Sequence, residues 1–140
     1  MSREVPLLAS EKIKLGCLVF FILMLIIPGL LGAYKSIYRA IVRNKDAYEK
    51  NMQDLCEYYQ IGIINEKPDI AYYDISVEAN NWNAYNQDQR FTYCDKIYNS
   101  IDKTLQVCKM VDKDTKPHID FYLDSRKVAY IAGGFTHLLD

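Results

Sequence analysis

The longest hydrophobic pattern in the chain is an uncharged stretch from Leu15 to Ala33. As an α-helix it would be roughly 28 Å long, about the thickness of the hydrocarbon core of a bilayer. Apolar residues cover its whole circumference, which favours a transmembrane helix over a core helix with one buried face. The stretch is also longer than the apolar region of a secretory signal peptide. We therefore expect an uncleaved transmembrane helix at residues 15–33, after a short polar tail at residues 1–14.

Residues 34–60 carry a helical stripe of apolar side chains, spaced by three, four and seven positions: Ile37, Ile41, Tyr48, Met52, Leu55 and Tyr59. Asn44 occupies the position that the stripe misses. Lys35, Arg39 and Arg43 share another face, as basic residues commonly do beside a membrane span. The pattern predicts an amphipathic juxtamembrane helix, continuous with the membrane helix, whose apolar stripe needs a cover.

Residues 61–140 predict a small α+β domain. Apolar and polar residues alternate over residues 70–78, which is typical of a β-strand. A helix is predicted over residues 84–111, where apolar side chains recur every three or four positions: Cys94, Ile97, Ile101, Leu105, Cys108 and Val111.

Residues 117–132 allow two interpretations. Alternation over residues 119–124, a turn and a second run predict a β-hairpin. A helix ended by Gly133-Gly134 is the alternative, and it would make the C-terminal part all-α. The hairpin is favoured because a helical wheel places Arg126 and Lys127 on the apolar side. The expected fold is thus a single-pass transmembrane helix continuing into a domain with a long helix, a strand, a helix and a β-hairpin.

Composition narrows the possible functions. The net charge of −1 provides no basic surface for nucleic acid, so nucleic-acid binding is disfavoured. All 12 tyrosines follow the apolar stretch, and tyrosine suits protein interfaces, although a biased genome would explain them equally well. Lysine and arginine flank the stretch in similar numbers, so the positive-inside rule selects no orientation.

The cysteines leave two alternatives open. Cys94 and Cys108 would be about 21 Å apart on one helix, too far for a disulfide. At most one bridge can therefore form among the cysteines outside the apolar stretch, with Cys56 as a partner. Free thiols in a reducing compartment are an equally good interpretation.

The residues most suggestive of chemistry are His118, Asp120 and Asp124. No additional ligand of the usual kind and no matching cysteine accompanies this group, so a metal site is disfavoured. On a strand, these residues and Tyr122 would form the polar face. The sequence predicts no catalytic, cofactor-binding or metal-binding residues, and no cofactor.

The layout of the whole chain resembles that of type IV pilins and pseudopilins: a basic leader ending in Gly16, an apolar run, an amphipathic continuation and then strands. This resemblance implies a component of a pilus or secretion apparatus. Cys17 and Phe21 stand where the family motif has Phe and Glu. No residue role is therefore transferred from the family.

These patterns together predict a non-catalytic, membrane-anchored structural or accessory subunit of a larger membrane complex. Its expected partners are the lipid bilayer and other membrane-protein subunits, contacted through the transmembrane and amphipathic helices. Gly29, Gly32 and Ala33 would allow close helix approach in the membrane. The alternatives are a pilin-like or secretion component and a membrane-tethered binding domain.

Overall fold

The computed structural model describes the backbone of residues 9–139 and the side chains of residues 16–38 and 43–139. The chain divides into two compact units at Ile41–Val42. The first consists of one long helix, α1 (Ala9–Val42), which has Pro28 inside it. Of the polar tail predicted for residues 1–14, residues 9–14 belong to this helix, and residues 1–8 lie outside the described residues.

The second unit begins with helix α2 (Lys45–Tyr59). Asn44 caps it, because the side-chain Oδ1 accepts a hydrogen bond from the backbone N–H of Ala47 at 3.1 Å. The backbone N–H of Asn44 donates to the carbonyl of Cys108 at 3.1 Å. The prediction of one continuous helix over residues 34–60 is therefore wrong. The helix is interrupted after Val42, and Asn44 caps the beginning of α2.

A five-stranded mixed sheet forms the centre of the second unit. Its strands lie in sequence order; β2 and β3 pair parallel, and every other neighbouring pair is antiparallel. The connection between the parallel strands runs through two helices, α3 and α4. The elements are β1 (Ile61–Lys67), a 3₁₀ turn (Pro68–Ile70), β2 (Tyr72–Val77), α3 (Ala79–Ala84), α4 (Gln87–Val107), β3 (His118–Leu123), β4 (Arg126–Ala132) and β5 (Phe135–Leu138).

Helices α2 and α4 pack against each other and against the sheet, and they enclose the core. Tyr73 of β2 and Phe121 of β3 are the largest fully buried side chains. Ile97 and Ile101 of α4 are also fully buried. Successive strand residues point to opposite faces, so the neighbours of Phe121 in β3 lie on the other, more open face of the sheet.

The structure confirms the α+β class and the predicted β-hairpin, and the all-α alternative for the C-terminal part is wrong. Asp124 and Ser125 both have positive φ, 47° and 69°, as in the two-residue turns that suit a twisted hairpin. The helix predicted over residues 84–111 ends earlier, and residues 79–84 form a separate short helix. The edge strands β1 and β5 were not predicted.

Candidate functional site

The apolar part of α1, Gly16–Tyr38, is long and apolar enough to cross a membrane by length and composition. Signal sequences and buried core helices share these properties, but none of its described side chains is buried. A Cβ added at Gly29 or Gly32 meets nothing within 4 Å. The helix therefore presents exposed apolar side chains with small residues among them.

A row of tyrosine rings lies where the end of α2 meets the beginning of α4. Tyr58 contacts Tyr59 edge-on, with ring centroids 4.8 Å apart and planes at 88°. Tyr59 meets Tyr93 at 6.2 Å and 79°, and Tyr93 meets Tyr85 at 5.5 Å and 53°. Stacked or edge-to-face contacts of this kind stabilise aromatic clusters beyond their buried area.

Hydrogen bonds hold the two central rings in place. The Tyr93 hydroxyl donates to the backbone carbonyl of Tyr59 at 2.9 Å. The hydroxyls of Tyr59 and Ser100 are 3.2 Å apart and hydrogen-bonded. Burial raises the pKa of Tyr93 above its usual range, so this hydroxyl keeps its proton as a donor.

The tyrosine row lines an open groove with a cavity volume of about 810 Å³, which we call the tyrosine groove. Its remaining walls are polar and come from α2, α3 and α4: Gln60, Asn81, Asn86, Asp88, Gln89, Thr92 and Lys96. Aromatic side chains that offer contact area, together with polar groups that fix orientation, are features of ligand sites.

A capping box orients two amides of this groove. The Gln89 backbone N–H donates to Asn86 Oδ1 at 2.9 Å, and the Asn86 backbone N–H donates to Gln89 Oε1 at 2.9 Å. Each of the two amide oxygens thereby accepts one hydrogen bond. The side-chain NH₂ groups of Asn86 and Gln89 take no part in this motif.

The open face of the sheet carries an ionic network around Asp120, whose side chain is only 5% exposed. Lys127 Nζ lies 2.5 Å from one carboxylate oxygen, and His118 Nε2 lies 3.2 Å from the other. The Tyr72 hydroxyl donates to Asp74 at 3.0 Å and to Asp120 at 3.4 Å. Hydrogen bonding to Asp74 and desolvation raise the pKa of Tyr72 to about 12.

This network satisfies a buried carboxylate and places no open ligand set beside it. Among the described side chains, residues 16–38 and 43–139, no group of three or more His, Cys, Asp or Glu could hold a metal ion. His118, Asp120 and Tyr122 lie on the polar face of β3 as predicted, with His118 stacked on Tyr72 at 5.4 Å. Asp124 differs, because it lies in the hairpin turn and not on the strand.

All four cysteines are free in the structure, and Cys56 is bridged to neither Cys94 nor Cys108. Cys94 and Cys108 are buried, and Cys56 is half-buried. Burial raises the pKa of the Cys94 thiol to about 12. Burial, with Glu66 and Glu57 nearby, also raises the pKa of Cys56. Activated cysteine nucleophiles require the opposite shift.

The chain matches no protein-family model, no curated protein and no solved structure. Sequence reasoning missed the tyrosine groove, because its walls come from separate helices. One signal was available: Asn86-x-x-Gln89 has the spacing of a capping box, and it marks the beginning of α4.

Proposed function

We propose that this protein is a non-catalytic accessory subunit of a membrane complex, anchored by the helix Gly16–Tyr38. The observation that carries the proposal is the exposure of this helix. Leu25 is 78% exposed and Phe21 68% exposed. Apolar surface costs about 25 cal/mol for each Å² left in water, so a helix of this composition is stable only when lipid or protein covers it.

Two features at the end of the helix support membrane insertion. Tyr34 and Tyr38 stack with ring centroids 6.3 Å apart, and aromatic rings are enriched where transmembrane helices leave the bilayer. Lys35 lies between them in the sequence, as basic residues do beside a span.

Small residues support packing on other subunits. Gly29 and Ala33 are four positions apart, which is the small-xxx-small spacing of close helix pairs in membranes. Gly32 and Ser36 repeat the spacing on an adjacent line. Because the chain places nothing within 4 Å of a Cβ at Gly29 or Gly32, this surface is open to a neighbouring helix.

The non-catalytic character rests on the cysteines and on the Asp120 network. The raised pKa of Cys94 keeps its thiol protonated at neutral pH. Asp120 is held by Lys127, His118 and Tyr72 in contacts that stabilise the sheet surface. Neither feature pairs a nucleophile with a base.

The test is native mass spectrometry of the tagged, full-length protein, purified from its host in mild detergent. The proposal predicts stoichiometric partner subunits. A chain that stays alone at 16.3 kDa contradicts it. A mature mass that lacks the residues through Gly16 would instead support a pilin-like component.

A matched pair of variants locates the contact. Gly32→Leu should remove most of the co-purifying partners, because the new side chain blocks close helix approach. Gly16→Leu introduces the same side chain about 160° away around the helix, and it should leave the partners in place. Circular dichroism should show an unchanged domain in both variants. Equal co-purification of both variants and wild type would contradict packing through Gly32.

A further inference from the structure

The tyrosine groove has walls that suit a particular kind of ligand. Rings at 88° and 79° to one another form ridges with slots between them, and the hydrogen bonds of Tyr59 and Tyr93 fix their positions. Tyr58, at the end of the row, is 80% exposed. The groove is thus largely formed before any ligand arrives, which reduces the entropic cost of binding.

Three side-chain amides of the groove each accept a hydrogen bond through the oxygen, while their NH₂ groups have no hydrogen-bond partner among the described residues. The capping box uses the oxygens of Asn86 and Gln89 and leaves their NH₂ groups for a ligand. Gln60 Oε1 accepts a hydrogen bond from Asn81 at 2.8 Å, which leaves the Gln60 NH₂ group as a third donor. Asp88 and Lys96 contribute opposite charges, so the walls favour a ligand without a large net charge.

We propose that the tyrosine groove binds a proline-rich segment of a partner protein in the polyproline II conformation. Proline has no backbone N–H, and the carbonyls of a polyproline II helix have no internal partners. Such a segment therefore presents acceptors to a groove that presents donors. Its pyrrolidine rings fit between aromatic ridges, as in other aromatic-lined grooves that bind proline-rich segments.

A neutral oligosaccharide is the main competing ligand, and the partial use of three amide oxygens disfavours it. Each sugar hydroxyl is both donor and acceptor, so a sugar site uses side-chain oxygens as much as NH₂ groups. Here the oxygens of Gln60, Asn86 and Gln89 each already accept one hydrogen bond within the protein and have a single lone pair left for a hydroxyl.

The experiment measures fluorescence anisotropy of a fluorescein-labelled polyproline peptide with the full-length protein in detergent. We expect saturable binding with a Kd below about 1 mM. Tyr58→Ala should weaken binding about tenfold, because it removes a ring of the row. Phe135→Ala is the matched control, since Phe135 is 73% exposed and is not part of the groove.

Gln89→Glu separates the two ligand classes. Glutamate also completes a capping box, so α4 keeps its N-terminus. The variant replaces an NH₂ donor by a carboxylate, and polyproline binding should fall about tenfold. A sugar site would tolerate this change, because a carboxylate accepts hydrogen bonds from hydroxyls.

Two results would overturn the proposal. One is the absence of saturable binding of polyproline to the wild-type protein. The other is saturable binding of maltohexaose that Gln89→Glu retains. The proposal goes beyond assembly through α1, and the two are separable: Gly32→Leu should bind polyproline as the wild type does, whatever happens to its partner subunits.

Discussion

Helices α1 and α4 differ in the exposure of their hydrophobic side chains. In α1, every described side chain from Gly16 to Tyr38 is exposed. In α4, Ile97, Ile101 and Leu105 are fully buried on one stripe, while the opposite side faces water. Helix α4 therefore satisfies its apolar surface within the chain. Helix α1 leaves its apolar side chains exposed, and the proposed function places lipid or another protein against them.

The largest expected effect destabilises the α+β domain and leaves the proposed anchor intact. Phe121→Ala removes a fully buried ring, which should lower the free energy of unfolding by about 3–5 kcal/mol. Denaturant unfolding followed by the fluorescence of Trp82 measures the loss. The protein should still fractionate with membranes.

Phe135→Ala is the control for this prediction, because the same ring at a 73% exposed position contributes little to the core. A loss of stability for Phe135→Ala as large as that for Phe121→Ala would contradict the described core.

The second effect disrupts the proposed anchor and leaves the α+β domain intact. Leu25→Arg places a charge in the middle of the apolar helix and should disfavour membrane insertion by about 3 kcal/mol. Alkaline extraction of membranes should release the variant, while Leu25→Phe stays in the membrane fraction. Both variants should unfold at the wild-type denaturant concentration. If Leu25→Arg stays in the membrane fraction, the proposed span is wrong.

The third effect concerns the residue at which α2 begins. Asn44→Ala removes the side-chain oxygen that caps α2 and should destabilise the domain by about 1 kcal/mol. Asn44→Asp keeps an oxygen at the same place and should retain most of the stability. Equal losses in both variants would mean that the cap is not the source of the effect.

Asn44 also shows a structural feature that the sequence pattern could not predict. Its place in an apolar stripe indicates a polar gap in one long helix, and the sequence pattern does not distinguish such a gap from a cap. The distinction depends on the hydrogen bond from its backbone N–H to the carbonyl of Cys108, a residue far along the chain.

The strands also differ in whether the sequence pattern predicts them. β2 and β3 alternate in sequence because the apolar side chains of one face lie in the core, and the hairpin could be predicted from this alternation. These core side chains are Tyr73, Ile75, Ile119 and Phe121. β1 and β5 are edge strands with mostly exposed side chains, including Ile64 and Phe135, so burial imposes no clear period on them. The apolar helix was the most predictable element, because composition alone defines it.

The smallest expected effect concerns an ion pair on the open face of the sheet, which contrasts with the apolar contacts of the buried core. Lys127 and Asp120 form an ion pair on that face, and the hydrogen bond to Asp120 raises the pKa of Lys127 above its ordinary value of 10.5. A raised lysine pKa means that the folded state binds the proton more tightly. The resulting stabilisation is complete below pH 10.5 and is lost as the pH rises through the folded-state pKa.

Lys127→Arg tests this contribution, because arginine keeps its charge in the same alkaline range. The variant should match the wild type at neutral pH and exceed it in unfolding free energy above pH 10.5. The difference should be about 0.5 kcal/mol, since water screens a side chain that is 39% exposed. Ionisation of Tyr73, whose pKa burial raises to about 12, destabilises both proteins alike and cancels in the comparison. Parallel pH profiles would show that the ion pair contributes no stability.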